Sequence, residues 1–166
     1  MAASGSNPNQ DKEQASISPS PSDPGAVKRP QILVVDDNKA DVFLIREAIA
    51  AASIDADLHV MSDGQAAVQF LTATDEDGNT PLPDLVLLDL NLPKVSGENV
   101  LRHLRNSERY GSVPVLVLTS SDSARERERV MELGIAHYFR KPSEYSEFLK
   151  LGGLVREILE SRVNAL

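Results

Sequence analysis

Residues 84–89 read Asp-Leu-Val-Leu-Leu-Asp, a run of four aliphatic side chains that stops at the carboxylate of Asp89. Three other short runs also stop at polar or charged residues: residues 31–35 at Asp36 and Asp37, residues 113–118 at Thr119, and residues 136–140 at Lys141. Short runs of this kind, separated by helical patterns, are typical of buried strands in a parallel sheet. Ligands bind beyond the carboxyl ends of such strands, so we expect the polar residues to converge at one site.

Strand and helix patterns alternate from residue 31 onward. The predicted strands are residues 31–35, 58–61, 84–88, 113–118 and 136–140; the predicted helices are 39–52, 65 to about 71, 97–106, 123–133 and 143–161. Residues 72–83 have the composition of an exposed loop. Five βα units joined by right-handed crossovers give a doubly wound α/β fold, for which we predict a five-stranded parallel sheet of order 2-1-3-4-5.

The N-terminal segment differs in composition from the rest of the chain. Residues 1–30 contain five of the ten prolines and only two branched aliphatic side chains. Such a segment cannot bury enough apolar surface to offset its ordering entropy. We therefore predict a disordered leader over residues 1–30, a folded domain over residues 31–162 and a short tail over residues 163–166.

Composition excludes several classes of function. The formal charge of −8 argues against a nucleic-acid-binding module, which should carry a basic face. No apolar stretch approaches a membrane span, and the N-terminus has no secretory signal pattern. The absence of Cys excludes disulfides and thiolate metal sites and fits a reducing cytosol. We expect a cytoplasmic protein that contacts neither nucleic acid nor membrane.

The three strand-end carboxylates allow more than one interpretation. Asp36 or Asp37 could cap the following helix while the other is solvated, but adjacent carboxylates also persist where a cation neutralises them. Asp89 could make a local turn bond, or it could be a nucleophile that yields an acyl phosphate. Mg²⁺ suits the cluster because it binds few carboxylates, keeps waters and bridges phosphate oxygens.

The ends of the fourth and fifth strands add a hydroxyl and an ammonium. Ser121 or Asp122 would cap the fourth helix, which leaves the Thr119 hydroxyl free to donate to a phosphoryl oxygen. A single Lys is usually a surface residue. Here Pro142 prevents the ladder from continuing beyond Lys141 and could hold a cis bond that aims the Lys inward.

Four motifs make the chain resemble the receiver domains of two-component response regulators over residues 31–162. They are ILVVDDN (32–38), LVLLDLNLPKVSG (85–97), VLVLTSSD (115–122) and HYFRKP (137–142). Spacings of 30 residues from Asp89 to Thr119 and 22 from Thr119 to Lys141 fit the same family. DDNKADVFLIREA (36–48), TSSD and the longer loop before the third strand further resemble the stand-alone regulators of phytochrome-type histidine kinases. The implied fold is CheY-like.

The resemblance implies a phosphoacceptor and a metal site. Asp89 would accept a phosphoryl group from a phosphohistidine on a partner kinase. Asp36 and Asp37, together with Asp89 and the backbone carbonyl of Asn91, would hold Mg²⁺. The chain would then be a phosphoacceptor capable only of self-dephosphorylation, and not an enzyme acting on outside substrates.

The resemblance also implies a switch. Lys141 would pair with the phosphoryl oxygens, Thr119 would swing to hydrogen-bond one of them, and Tyr138 would turn into the space that Thr119 leaves. Asn91 and Ser121 occupy the two positions that tune the dephosphorylation rate in the family.

Output and partners follow from the same resemblance. Few residues follow the last predicted helix, so we expect no output domain on this chain and a signal that leaves through the face of the fourth helix, fifth strand and fifth helix. Residues 125–129 alternate Arg and Glu, which indicates either a solvated face or a charged partner face. Tyr145 and Phe148 could be partly exposed and anchor a homodimer there.

Two other functions compete with this hypothesis. A haloacid-dehalogenase-type hydrolase also uses an Asp nucleophile, but it requires a D-x-D pattern, and Asn91 and Asn38 stand at the second acidic positions. The other alternative is a pseudo-receiver that binds partners without being phosphorylated. The complete set of site residues argues against it.

Overall fold

The strands of the domain form a single parallel sheet. The computed structural model describes residues 28–164, so residues 1–27 of the predicted leader and the last two residues lie outside the described part. The strands are β1 (Gln31–Val35), β2 (Asp57–Met61), β3 (Leu85–Asp89), β4 (Val115–Thr119) and β5 (His137–Arg140). Their order is β2-β1-β3-β4-β5 and every neighbouring pair is parallel, which confirms the predicted fold class and strand order.

Helices follow each strand. They are α1 (Lys39–Ala51), α2 (Gly64–Asp77), α3 (Gly97–Asn106), α4 (Ala124–Glu132), α5 (Tyr145–Phe148) and α6 (Leu151–Asn164). The last predicted helix is therefore wrong in one respect, because it is divided into α5 and α6. The predicted cap of α4 is also wrong, since the side chain of Ser123, and not of Ser121 or Asp122, accepts from the Glu126 amide. The helix α6 ends at Asn164, within the short tail predicted for residues 163–166.

The loop predicted for residues 72–83 begins too early, because α2 continues to Asp77. Tertiary contacts hold this extra turn. Thr74 is buried, its hydroxyl donates to the carbonyl of Phe70 and contacts the hydroxyl of Tyr110, and the guanidinium of Arg109 donates to its carbonyl. The composition of the segment favours a loop, but these long-range contacts outweigh that local preference.

Apolar residues bury both faces of the sheet. In β1, Leu33 and Val35 face one core, and Ile32 and Val34 face the other. The first core is closed by α2, α3 and α4 through Ala67, Leu71, Val100, Leu101, Leu104 and Val130. The second is closed by α1, α5 and α6 through Ile45, Ala48, Ile49, Phe148, Leu151 and Val155. Burial on both faces explains why the strands read as continuous apolar runs.

One arginine ties the loops at the opposite edge of the sheet from the predicted site. Arg105 of α3 donates to the backbone carbonyls of Gly111 and Val113 at 3.1 and 3.0 Å, and to those of Leu133 and Gly134 at 3.2 and 2.8 Å. These carbonyls belong to the segments before β4 and before β5. A single side chain therefore satisfies acceptors from two loops.

We expect Arg105→Met to lower the free energy of unfolding by about 2–3 kcal/mol, because it leaves several carbonyls without their charged donor. Urea unfolding followed by circular dichroism measures the loss. Arg102→Met is the matched control, since Arg102 is on the same helix and has only an exposed ion pair with Glu98. Equal stability of the two variants would contradict this interpretation.

Within residues 28–164, no helix is long and apolar enough to cross a membrane.

Candidate functional site

Four strands bring the predicted site residues to the same edge of the sheet. Asp36 directly follows β1, Asp89 ends β3, Thr119 ends β4 and Lys141 directly follows β5. Asp36, Asp89 and Thr119 are buried, with 2%, 5% and 0% of their surface exposed. Charged and polar side chains are rarely so buried without partners. These residues therefore need specific counter-charges and hydrogen bonds.

Three carboxylates lie close enough to share one cation. Asp36, Asp37 and Asp89 each offer a carboxylate oxygen, and these oxygens all lie within 4.8 Å of one another. Asp37 is exposed and the other two are buried, so the cluster opens to solvent on one side. Hard carboxylate oxygens are the donors that Mg²⁺ and Mn²⁺ prefer. The donor set fits a divalent cation.

Lys141 supplies the positive charge of the site. Its Nζ donates to Asp36 Oδ2 at 2.9 Å, to Asp41 Oδ2 at 2.8 Å and to Asp89 Oδ2 at 3.1 Å. Burial would lower the pKa of Lys141, but the hydrogen bonds to Asp41 and Asp36 and the nearby carboxylates outweigh burial and raise the pKa above its ordinary value. The side chain therefore remains an ammonium at neutral pH.

Asp41 contacts the site although it is not among the predicted site residues. It lies in the first turn of α1, where an acidic residue is expected simply because it stabilises the positive end of the helix dipole. The hydrogen bond to Lys141 is a second role, which the residue type at this position does not indicate. The available signal was topological, because a helix that begins just after β1 carries its first turn over the edge where the other carboxylates lie.

Local hydrogen bonds fix the two buried carboxylates. Asp36 Oδ1 accepts from the Asn38 amide at 2.9 Å, and Asp89 Oδ1 accepts from the Asn91 amide at 3.1 Å. Burial raises the pKa of Asp36, and the bonds from Lys141 and Asn38 only partly offset it. Asn91 itself is exposed, and the metal-binding role of its carbonyl stays a prediction.

The predicted cis bond at Pro142 is wrong, because the described residues contain no cis peptide bond. Lys141 points inward for another reason. Its amide donates to the carbonyl of Thr119 at 2.8 Å, which extends the β4–β5 pairing one residue past β5. The strand pairing, and not a proline isomer, therefore sets the direction of the side chain.

The predicted switch residues lie on adjoining segments. Thr119 Oγ1 accepts from the Ser121 amide at 3.1 Å, and the Tyr138 hydroxyl donates to the carbonyl of Ser121 at 3.5 Å. The guanidinium of Arg127 lies 5.1 Å from the centre of the Tyr138 ring, a cation–π distance. Burial raises the pKa of Tyr138, with nearby Glu126 acting in the same direction. Tyr138 is thus held partly buried against α4.

The charged run on α4 is only partly a solvated face. Arg129 Nε donates to Glu98 of α3 at 3.0 Å, and Arg127 covers Tyr138. The expectation that Phe148 is partly exposed is wrong, since it is 1% exposed and packs edge-on against Phe139. Tyr145 is exposed, as expected.

A doubly wound sheet that ends in three clustered carboxylates, a buried threonine and an inward lysine defines a receiver domain. Residues 32–151 match the response regulator receiver domain family, and the chain belongs to that family. It is similar to response regulator Rcp1 of Synechocystis sp., with 38% identity over 120 residues that cover 72% of this chain and 82% of Rcp1. It is also similar to the probable methanogenesis regulatory protein FilR2 of Methanothrix harundinacea, with 37% identity over 129 residues, 78% of this chain and 81% of FilR2.

Solved structures of response regulators are also similar to this chain. The phosphorylated cyanobacterial phytochrome response regulator RcpA superimposes with a TM-score of 0.73 at 32% identity, covering 81% of this chain and 96% of RcpA. The Mn²⁺-bound form of Rcp1 gives a TM-score of 0.71 at 36% identity, covering 79% of this chain and 95% of Rcp1. The predicted resemblance to phytochrome-associated response regulators is confirmed.

Proposed function

We propose that this chain is a phosphorylation-dependent response regulator that accepts a phosphoryl group on Asp89 from a histidine kinase. One observation carries the proposal: the Lys141 ammonium lies 3.1 Å from Asp89 Oδ2, beside two further carboxylates. In the transfer, an oxygen of Asp89 attacks phosphorus, an acyl phosphate forms and the bond from phosphorus to the kinase histidine breaks. Such a transfer depends on positioning and charge neutralisation more than on covalent machinery.

We further propose that Asp36, Asp37 and Asp89, with the carbonyl of Asn91, hold Mg²⁺. The clustering of the three carboxylate oxygens within 4.8 Å supports this, as does the similarity to Rcp1, whose structure is described as Mn²⁺-bound. When bound, the cation supplies positive charge that offsets repulsion between the carboxylates and an incoming phosphoryl group.

Lys141 and Thr119 would then detect the phosphoryl group. Lys141 already points at Asp89, and the buried hydroxyl of Thr119 ends the neighbouring strand. If Thr119 turns toward a phosphoryl oxygen, it gives up its bond from the Ser121 amide, and space opens for Tyr138. Charge-assisted hydrogen bonds of about 1.5–3 kcal/mol each could supply the roughly 5.5 kcal/mol that moves a two-state element from 1:99 to 99:1. Asn91 and Ser121 would tune the rate at which the phosphoryl group is lost.

The partner and the output surface are also proposals. The similarity to RcpA, described as a phytochrome response regulator, supports a phytochrome-type histidine kinase as the phosphodonor. We propose that the signal leaves through the face of α4, β5 and α6, where a second copy of the chain could also bind. Arg127 of α4 covers the ring of Tyr138 of β5, which links this face to the proposed switch residue and supports this location.

Incubation with acetyl phosphate tests the proposal. We expect Mg²⁺ to permit the addition of one hydroxylamine-labile phosphoryl group, detected by intact-protein mass spectrometry and mapped to Asp89. Excess EDTA should reduce the extent of labelling by at least about tenfold, because the carboxylates then repel the phosphodonor without a counter-cation. Excess Mg²⁺ should restore it.

Two results would favour the alternatives. Sustained release of phosphate from varied phosphate esters would indicate a haloacid-dehalogenase-type hydrolase. A chain that stays unlabelled with Mg²⁺, yet still binds a histidine kinase, would indicate a pseudo-receiver.

A further inference from the structure

Asp41 contacts the site without belonging to the carboxylate cluster. Its Oδ2 lies 2.8 Å from Lys141 Nζ, and its side chain is 23% exposed. The cap of α1 fixes its place, because Asn38 Oδ1 accepts from the amides of both Ala40 and Asp41. The carboxylate oxygens that lie within 4.8 Å of one another belong to Asp36, Asp37 and Asp89, and Asp41 is not among them.

The hydrogen bonds of Lys141 are fully used. An ammonium has three N–H donors, and each is directed at one carboxylate: Asp36, Asp41 or Asp89. Two of these three carboxylates belong to the cluster that fits a divalent cation. Their other oxygens already accept from backbone amides. Lys141 would therefore compete with a bound metal ion for Asp36 and Asp89.

Asp41 is the exception among the three acceptors. Metal binding would draw Asp36 and Asp89 toward the cation, and phosphorylation would convert the Asp89 carboxylate into an acyl phosphate whose negative charge lies on the phosphoryl oxygens. Neither event involves Asp41. Its bond to Lys141 can therefore persist in every state of the site.

We propose that Asp41 is a positioning residue that keeps its hydrogen bond to the Lys141 ammonium when Asp36 and Asp89 turn to Mg²⁺, so that the ammonium competes less for those two carboxylates. The inference rests on the proposed function, because it concerns the same metal. Without Asp41, the freed N–H donor turns fully to the metal-binding carboxylates, and the site also loses one negative charge. Both effects weaken Mg²⁺ binding.

Mg²⁺ titration followed by NMR tests the inference. The amides of Asn38 and Asn91 donate to Asp36 and Asp89, so their chemical shifts report on both carboxylates. We expect Asp41→Ala to weaken Mg²⁺ affinity about tenfold, the lower end of the range for residues that orient metal ligands. Asp41→Glu should recover most of that loss. Asp55→Ala, an exposed acid paired with Arg29 away from the site, should leave the affinity unchanged.

A double-mutant cycle separates positioning from plain charge. In a Lys141→Met background there is no ammonium to position, so Asp41→Ala should weaken Mg²⁺ binding by less than about threefold. Wild-type affinity in Asp41→Ala, or an equal loss in both backgrounds, would overturn the inference. Failure of the wild-type chain itself to bind Mg²⁺ would overturn the proposed function, and with it the role of Asp41. Circular dichroism of each variant shows whether it is folded.

Discussion

Replacement of Asp89 by Asn should abolish labelling by acetyl phosphate, lowering it roughly 1000-fold or more. The amide oxygen of Asn is a poor nucleophile and cannot form the acyl phosphate. The amide oxygen can still accept from the Asn91 amide, so the local turn is retained. Mass spectrometry after incubation with Mg²⁺ and acetyl phosphate measures the effect.

The fold of this variant should be intact. Burial raises the pKa of Asp36 and the charge on Asp89 adds to that rise, so removal of this charge relieves repulsion between two buried acids. We expect Asp89→Asn to be at least as stable as the wild type in urea. Asp55→Asn, in which the exposed acid near Arg29 is changed, is the control that should label normally. Undiminished labelling of Asp89→Asn would place the phosphoryl group elsewhere.

Replacement of Lys141 by Met should cost about 3–5 kcal/mol of folding free energy near neutral pH without metal. The side chains of Lys141 and Asp36 are 8% and 1% exposed, so the substitution leaves buried carboxylates without their cation. Mg²⁺ should restore much of the loss because it supplies the missing positive charge. Lys150→Met, which removes an exposed ion pair with Glu147, should change stability by less than about 0.5 kcal/mol.

The folding free energy lost in Lys141→Met should depend on pH. The pKa of Asp36 is already raised by burial, and Lys141 opposes that rise, so the substitution raises the pKa further. The folded variant then binds more protons than the unfolded chain, and its stability falls as pH rises above the ordinary pKa of Asp. The deficit relative to the wild type should be small in acid, where Asp36 is protonated, and largest near neutral pH. Urea unfolding in EDTA across this range measures it, and a deficit that grows on acidification would contradict the assigned cause.

The order of the strands and the positions of Asp36, Asp89, Thr119 and Lys141 follow from pattern alone. Apolar runs that end at polar residues identify buried parallel strands, and the topology then fixes which ends meet. The end of α2 is the part of the fold that the local sequence pattern predicts wrongly. The extra turn of α2 depends on contacts of Thr74 with residues more than 30 positions away, and no local pattern encodes them.

Two details of the site, the contact of Asp41 and the cause of the inward direction of Lys141, do not follow from the sequence pattern, because another explanation accounts for each residue. Asp41 lies in the first turn of α1, where an acid needs no further explanation, and strand pairing, not the predicted proline isomer, sets the inward direction of Lys141. Both details depend on contacts between residues of different strands and helices. These contacts depend on the twist and register of the sheet, which the spacing of residues in the sequence does not indicate.

The strand order also determines when the site is completed during synthesis. β1 lies between β2 and β3, and each of these parallel pairs requires a crossover at least as long as a helix. Assembly of the sheet therefore depends on non-local contacts and is correspondingly slow. Asp36 is translated first and Asp89 next, whereas Lys141 follows the last strand. A nascent chain that has folded as far as β3 thus brings its carboxylates together before Lys141 has been synthesised. Only when β5 joins the edge of the sheet does the acidic pocket gain a positive charge from the chain itself.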